Sequence, residues 1–131
     1  EHKDIVLNCS GGALIIGSDT LLYRLVFNLV ENAIRYSRPG STVNVSICDN
    51  DSHVFLRVED QGPGIPKQYR ESIFQPFFRL DKSRSRAYGG AGLGLALVWE
   101  IAALHGGTVE VEASSENGAT MLTTLPKRTA A

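Results

Sequence analysis

The chain has 131 residues, 43% of them hydrophobic and 21% charged, and its 13 Lys and Arg against 14 Asp and Glu leave a formal charge of −1. That length suits one domain with a core of its own and excludes two full-sized ones. The near-neutral balance excludes both a globally basic nucleic-acid binder and an acidic disordered tail.

The first residues, 4–9, read as a strand, and after Gly11-Gly12 the residues 13–16 read as another strand piece. Ser18 or Asp19 can cap a helix running to about Tyr36. Its apolar residues Leu22, Leu25, Val26, Leu29, Val30, Ala33 and Ile34 cover more than half the circumference, so it is expected to be mostly buried. Arg24, Asn28, Asn32 and Arg35 stack in one polar stripe along it. Pro39-Gly40 ends this unit. Two strands alternate next, with Val43, Val45 and Ile47 in the first and Val54, Leu56 and Val58 in the second, and residues 49–52 turn between them.

Gly62-Pro63-Gly64-Ile65-Pro66 cannot continue a strand, and a short helix is expected around 67–73. Residues 75–91 have no sustained periodicity, and a gap this long in a compact domain is usually a functional lid or a mobile loop. A second helix starts near Gly92 or Gly94 and stops at His105-Gly106-Gly107, a glycine C-cap. Val109 and Val111 alternate with Glu110 and Glu112, Asn117-Gly118 turns the chain, and 119–125 form the last strand before a frayed tail. Helices packed on one face of a mixed, mostly antiparallel sheet give an α+β fold, a two-layer sandwich with about three helices.

No apolar run approaches the ~20 residues of a membrane span, and no basic, apolar, small-residue leader opens the chain. Cys9 and Cys48 are too few for a disulfide framework and read as reduced, half-buried strand residues of a cytosolic protein. His2, His53 and His105 do not group with them as a zinc site requires.

Asn28 and Asn32 are poor interior-helix residues because their amides compete for backbone groups. They form either a satisfied or solvent-facing amide pair, or amide oxygens aimed at a cation or phosphate. Asp60, where a strand runs into glycines, is either an ordinary turn residue or an acceptor for an exocyclic amine, with glycines that let a flat ring approach. Gly89-Gly90-Ala91-Gly92-Leu93-Gly94-Leu95 leads into a helix. It is either a flexible hinge or a set of free N–H groups at a positive helix end that suits phosphate. It matches neither the Walker nor the Rossmann pattern.

Taken in order, residues 28–36 (NLVENAIRY), 60–65 (DQGPGI), 74–79 (FQPFFR) and 90–95 (GAGLGL) resemble four boxes of the catalytic ATP-binding domain of sensor histidine kinases. These are the asparagine, first glycine, phenylalanine and second glycine boxes, and the similarity runs from about residue 18 to 118. The resemblance implies the Bergerat ATP-binding fold, with an ATP lid at about 80–91. It implies that Asn32 holds Mg²⁺ with Asn28 assisting, the remaining oxygen ligands coming from phosphates and water. Arg35, where the family commonly has Lys, reaches the phosphates, and Tyr36 flanks the nucleotide. Asp60 reads the adenine amine, Ile65 lines the ring pocket, and Gly62 and Gly64 allow close approach. Lys82 in the lid, with Gly90, Gly92, Leu93, Gly94 and Leu95, wraps the ATP phosphates. Arg79 stabilises the transferring phosphoryl group, and Phe77 and Phe78 either pack in the core or couple the lid to partner helices. His105 and Trp99 read as structural residues.

Hydrolysing members of the wider superfamily, and its anti-sigma serine kinases, typically have a glutamate four residues before the metal-binding asparagine. Here that position is Asn28, and an amide cannot accept a proton at neutral pH. Glu31 lies roughly 100° around the helix from Asn32 and does not substitute for it. The resemblance therefore implies a kinase fragment whose acceptor histidine sits on a separate dimerisation domain of the same protein, serving a response regulator. It implies a cytoplasmic part of a membrane-anchored sensor that dimerises only through other segments and touches neither nucleic acid nor membrane itself. A stand-alone anti-sigma-type serine kinase and a degenerate nucleotide-sensing module are the alternatives. The charge is unevenly spread: Lys67, Arg70, Arg79, Lys82, Arg84 and Arg86 gather against only Glu71 and Asp81. That places positive potential where a triphosphate and an acidic partner helix would sit.

Overall fold

The helical periodicity of residues 19–36 is realised as one 18-residue helix, α1 (Asp19–Tyr36), in a computed structural model that describes residues 4–9, 19–76, 94–115 and 117–127. Leu25, Leu29 and Ala33 fall on one side of it and are buried, while Tyr23, Phe27 and Glu31 are exposed. The strand piece at 13–16, the cap at Ser18 and the phenylalanines Phe77 and Phe78 lie outside the described residues.

The sheet has five strands: β1 (Asp4–Cys9), β2 (Thr42–Asp49), β3 (His53–Glu59), β4 (Thr108–Ser115) and β5 (Gly118–Pro126). Their spatial order is β1-β2-β3-β5-β4, so the last strand lies between the third and fourth. β1 pairs parallel with β2, from Asp4 opposite Thr42 to Cys9 opposite Ile47, and every other pair is antiparallel. The expected tight turn joins β2 to β3: Asn50 Oδ1 accepts from the N–H groups of Ser52 (2.9 Å) and His53 (2.7 Å).

Period-two alternation turns Val43, Val45, Val54, Leu56, Val58, Val109, Met121 and Leu125 to one face. That face packs against α1 and α2 (Gly94–Leu104), whose Val98, Ile101 and Ala102 are buried. Among the described residues no helix packs on the opposite face. There Arg57 of β3 reaches across β5, at the level of its register partner Leu122, and grips Glu112 of β4 with two bonds of 2.7 and 2.9 Å. Glu112 sits at a register shift between Val111 and Ala113, a bulge that re-aims its side chain.

α2 ends as its glycines suggest, with Gly107 N–H on Ala102 O (2.8 Å) and Gly106 N–H on Ala103 O (3.0 Å), the Schellman pattern. His105 is buried there, its Nδ1 2.8 Å from Ile101 O, which fits the structural role expected of it. Residues 67–73 differ from expectation. Instead of one short helix there are two 3₁₀ turns, Lys67–Tyr69 and Ser72–Phe74, closed by i to i+3 bonds such as Tyr69 N–H on Pro66 O (2.9 Å). Only Ile73 and Phe74 in this stretch are buried, too little apolar surface to hold a longer helix against the core. Trp99 is partly exposed, 47%, and its ring lies 5.4 Å from that of Phe74.

Candidate functional site

Asp60 follows β3 directly and is 8% exposed. Its N–H donates to Ala119 O (2.9 Å). Its Oδ1 accepts from Gly62 N–H (3.0 Å) and from Ala119 N–H (3.2 Å). Burial pushes the carboxyl pKa upward, the nearby Glu59 adds to that, and the two N–H donors pull the other way. Oδ2 has no hydrogen-bond partner among the described residues. One oxygen is thus committed to holding the side chain still, and the other is left as an acceptor.

The glycines beside it are there because nothing larger fits. A Cβ on Gly62 would lie 2.2 Å from the carbonyl oxygen of Tyr36, the last residue of α1. Gly64 has φ +79°, and a Cβ there would lie 1.9 Å from Ser115 O. The Asp60 loop is therefore pressed against the end of α1 on one side and the β4–β5 hairpin on the other. Ile65, half-buried, packs against the core and completes this wall.

Along α1 the polar stripe runs from Asn28 through Asn32 to Arg35 and Tyr36. The Asn28 amide Nδ2 donates to Arg24 O (2.8 Å), which leaves Oδ1 as acceptor. That oxygen faces the start of α2, 3.5 Å from where a Cβ on Gly94 would be. Asn32, one turn on, is half-buried, and its side chain has no hydrogen-bond partner among the described residues. Arg35 lies 3.4 Å from Glu31 in an i,i+4 pair, a surface contact weak enough to give way to a phosphate. Eight residues of helix separate Asn28 from Tyr36, about 12 Å. α1 thus acts as the ruler of the site, with Gly94 and Leu95 of α2 at one end and Asp60, Gly62, Gly64 and Ile65 at the other.

A groove of ≈ 830 Å³ opens at the Gly94 end, lined by Asn28, Phe74, Pro76, Leu97 and Trp99 among others. It does not extend to Asp60 or Ile65. Among the described residues no cluster of three or more His, Cys, Asp or Glu side chains can hold a metal ion. The neutral amides of Asn28 and Asn32 can offer oxygen to a cation, a donor pair that fits a hard ion taking most of its oxygens from phosphates and water. Arg79, Lys82, Gly90, Gly92, Leu93 and the lid expected at 80–91 lie outside the described residues.

Sequence reasoning passed over several residues that hold this site together. Ser37, buried, accepts from Gln61 N–H (3.2 Å), and Gln61 Oε1 accepts from Thr42 N–H (2.8 Å). Ser114 binds Ile65 and Ala119 binds Asp60. These are ordinary polar and small residues whose partners lie 19 to 59 positions away, so no local pattern marks them.

A family model described as histidine kinase-, DNA gyrase B- and HSP90-like ATPase matches residues 17–129. The sensor-like histidine kinase SenX3 of Mycobacterium tuberculosis is 45% identical over 112 residues, which is 86% of this chain and 27% of that protein. This chain thus spans about a quarter of that relative's length. Among solved structures, the mycobacterial sensor histidine kinase MprB superposes with a TM-score of 0.83 at 34% identity, covering 96% of this chain and 83% of that one. Full-length ShkA in complex with AMPPNP also gives 0.83, at 30% identity, covering 98% of this chain and 26% of that one.

Proposed function

Because the chain belongs to the histidine kinase-, DNA gyrase B- and HSP90-like ATPase family, we propose that it is the catalytic ATP-binding domain of a two-component sensor histidine kinase. The observation that carries this reading is the divided carboxylate of Asp60, with Oδ1 fixed by two backbone N–H groups and Oδ2 left as acceptor. An exocyclic amine on a purine is the donor that such a fixed, lone acceptor selects. Ile65 supplies the apolar wall for the ring, and Gly62 and Gly64 keep the backbone close to it.

The phosphates extend along α1 toward Asn28 and the N-terminus of α2, where N–H groups without a partner inside the helix and the helix dipole favour anions. Asn32, with Asn28 beside it, would hold Mg²⁺, which when bound neutralises charge on the β- and γ-phosphates. Arg35 and Lys82 bind phosphate oxygens, Gly90, Gly92 and Leu93 wrap them, and Arg79 bears on the transferring group. The acceptor is a histidine on the helical dimerisation domain of the same protein. Its ring nitrogen bonds to the γ-phosphorus while the bridging P–O bond breaks and ADP leaves. The phosphoryl group then passes to a response regulator. Asn28 stands where a water-activating carboxylate would be needed, which supports transfer over hydrolysis. We read the chain as the cytoplasmic portion of a membrane-anchored sensor.

Calorimetry tests the binding half of the proposal. Mg-ATP binds the unsubstituted chain, and Asp60→Asn weakens it by about tenfold or more, the cost of a hydrogen bond to a charged group. Incubation with γ-labelled ATP tests the transfer half: label accumulates only when a helical phosphoacceptor domain is added. Strong labelling of the chain alone, or no binding of Mg-ATP, contradicts the reading.

A further inference from the structure

The loop after Asp60 leaves the sheet, so its backbone groups have no ladder partners and must find them elsewhere. Ile65 finds a partner for its N–H and its C=O in a single side chain. Ser114 Oγ accepts from Ile65 N–H at 2.7 Å and lies 3.2 Å from Ile65 O, to which it donates. Arg70 Nε is the only other donor to that oxygen, at a long 3.5 Å, among the described residues. Ser114 is the register partner of Ala119 in the β4–β5 hairpin. Ala119 is the residue whose N–H holds Asp60 Oδ1.

One rung of the hairpin therefore holds both Asp60 and Ile65. Its β5 half fixes the Asp60 carboxylate, and its β4 half fixes the backbone of Ile65. We propose that Ser114 is a positioning residue for the nucleotide base, the rung acting as a gauge that sets the distance between Asp60 and Ile65. This rests on the reading above, in which Asp60 and Ile65 take an adenine. Ser114 itself touches no base. Without its hydroxyl, Ile65 loses the bond to its N–H and its shorter bond to C=O, and the wall can drift while Asp60 stays in place. The ring that fits best, adenine, has most to lose, whereas a poorly fitting guanine has little.

The test is displacement of a fluorescent ATP analogue from the 131-residue chain by Mg-ATP and by Mg-GTP, with thermal midpoints recorded alongside. Ser114→Ala is expected to weaken ATP about tenfold and to shrink the ATP-over-GTP preference by a similar factor, while Ser114→Thr, which keeps the hydroxyl, restores ATP to within about twofold. A purely structural role would lower the midpoint and leave the preference unchanged, and that result overturns the proposal. So does ATP affinity within about twofold of the parent in Ser114→Ala, since a lost hydrogen-bond pair costs more than that. Failure of the unsubstituted chain to bind ATP overturns the nucleotide reading, and this one with it, before any substitution is made.

Discussion

Asp60 is held by donors that favour its charge and by burial that opposes it, and burial is the larger influence. The folded chain thus binds the Asp60 proton more tightly than the unfolded chain, whose carboxyl has the ordinary value of 3.8. The stability this group contributes is full below pH 3.8 and is lost as pH rises through the raised folded value. Urea midpoints of the parent and of Asp60→Asn, measured across this window, should show the parent losing ground to the variant as pH rises. A pH-independent difference would contradict it. A different buried group, Thr123 of β5, has a hydroxyl with no hydrogen-bond partner among the described residues and no exposure to solvent. Thr123→Val keeps the shape and removes the orphan, so it should stabilise by about 1 kcal/mol and raise the melting temperature by a few degrees. A lower melting temperature would mean that the hydroxyl does have a partner.

At the scale of elements, the site depends on how closely α1 meets the Asp60 loop. Gly62→Ala would drive a methyl into the Tyr36 carbonyl, 2.2 Å from the new carbon, and backbone on both sides must move. The expected cost is about 1–3 kcal/mol in a denaturant titration, with Mg-ATP affinity lost because Asp60 shifts relative to Asn32. Much of this level was legible in the sequence. α1 carries its periodicity and polar stripe openly, the β2–β3 turn is written in Asn50 and Ser52, and Gly106-Gly107 ends α2 as glycines do. The two 3₁₀ turns at 67–74 were not legible, because Pro66 and Pro76 bracket a stretch long enough for a helix but with only Ile73 and Phe74 to bury. What decides there is tertiary contact rather than local pattern.

At the scale of the whole molecule, the order β1-β2-β3-β5-β4 could not be read from alternation, since period two gives a strand its faces but not its neighbours. The same limit hid Ser114 and Ala119. Asp60 and Ile65 were named as site residues only through the resemblance of residues 60–65 to the first glycine box, and the rung that holds them is 49 to 59 positions away. The other face of the sheet shows a parallel case, with Arg57 and Glu112 paired across a strand that belongs to neither. The interior place of β5, between β3 and β4, has a consequence for a chain still on the ribosome. When β4 has emerged and β5 has not, all four sequence boxes are already outside, yet Asp60 has no Ala119 N–H and β3 and β4 have nothing between them. If ATP is the ligand, as proposed, it cannot help such a chain to fold early. It can only reward the finished sheet, so a truncation that removes β5 removes the ligand's stabilising effect together with the strand.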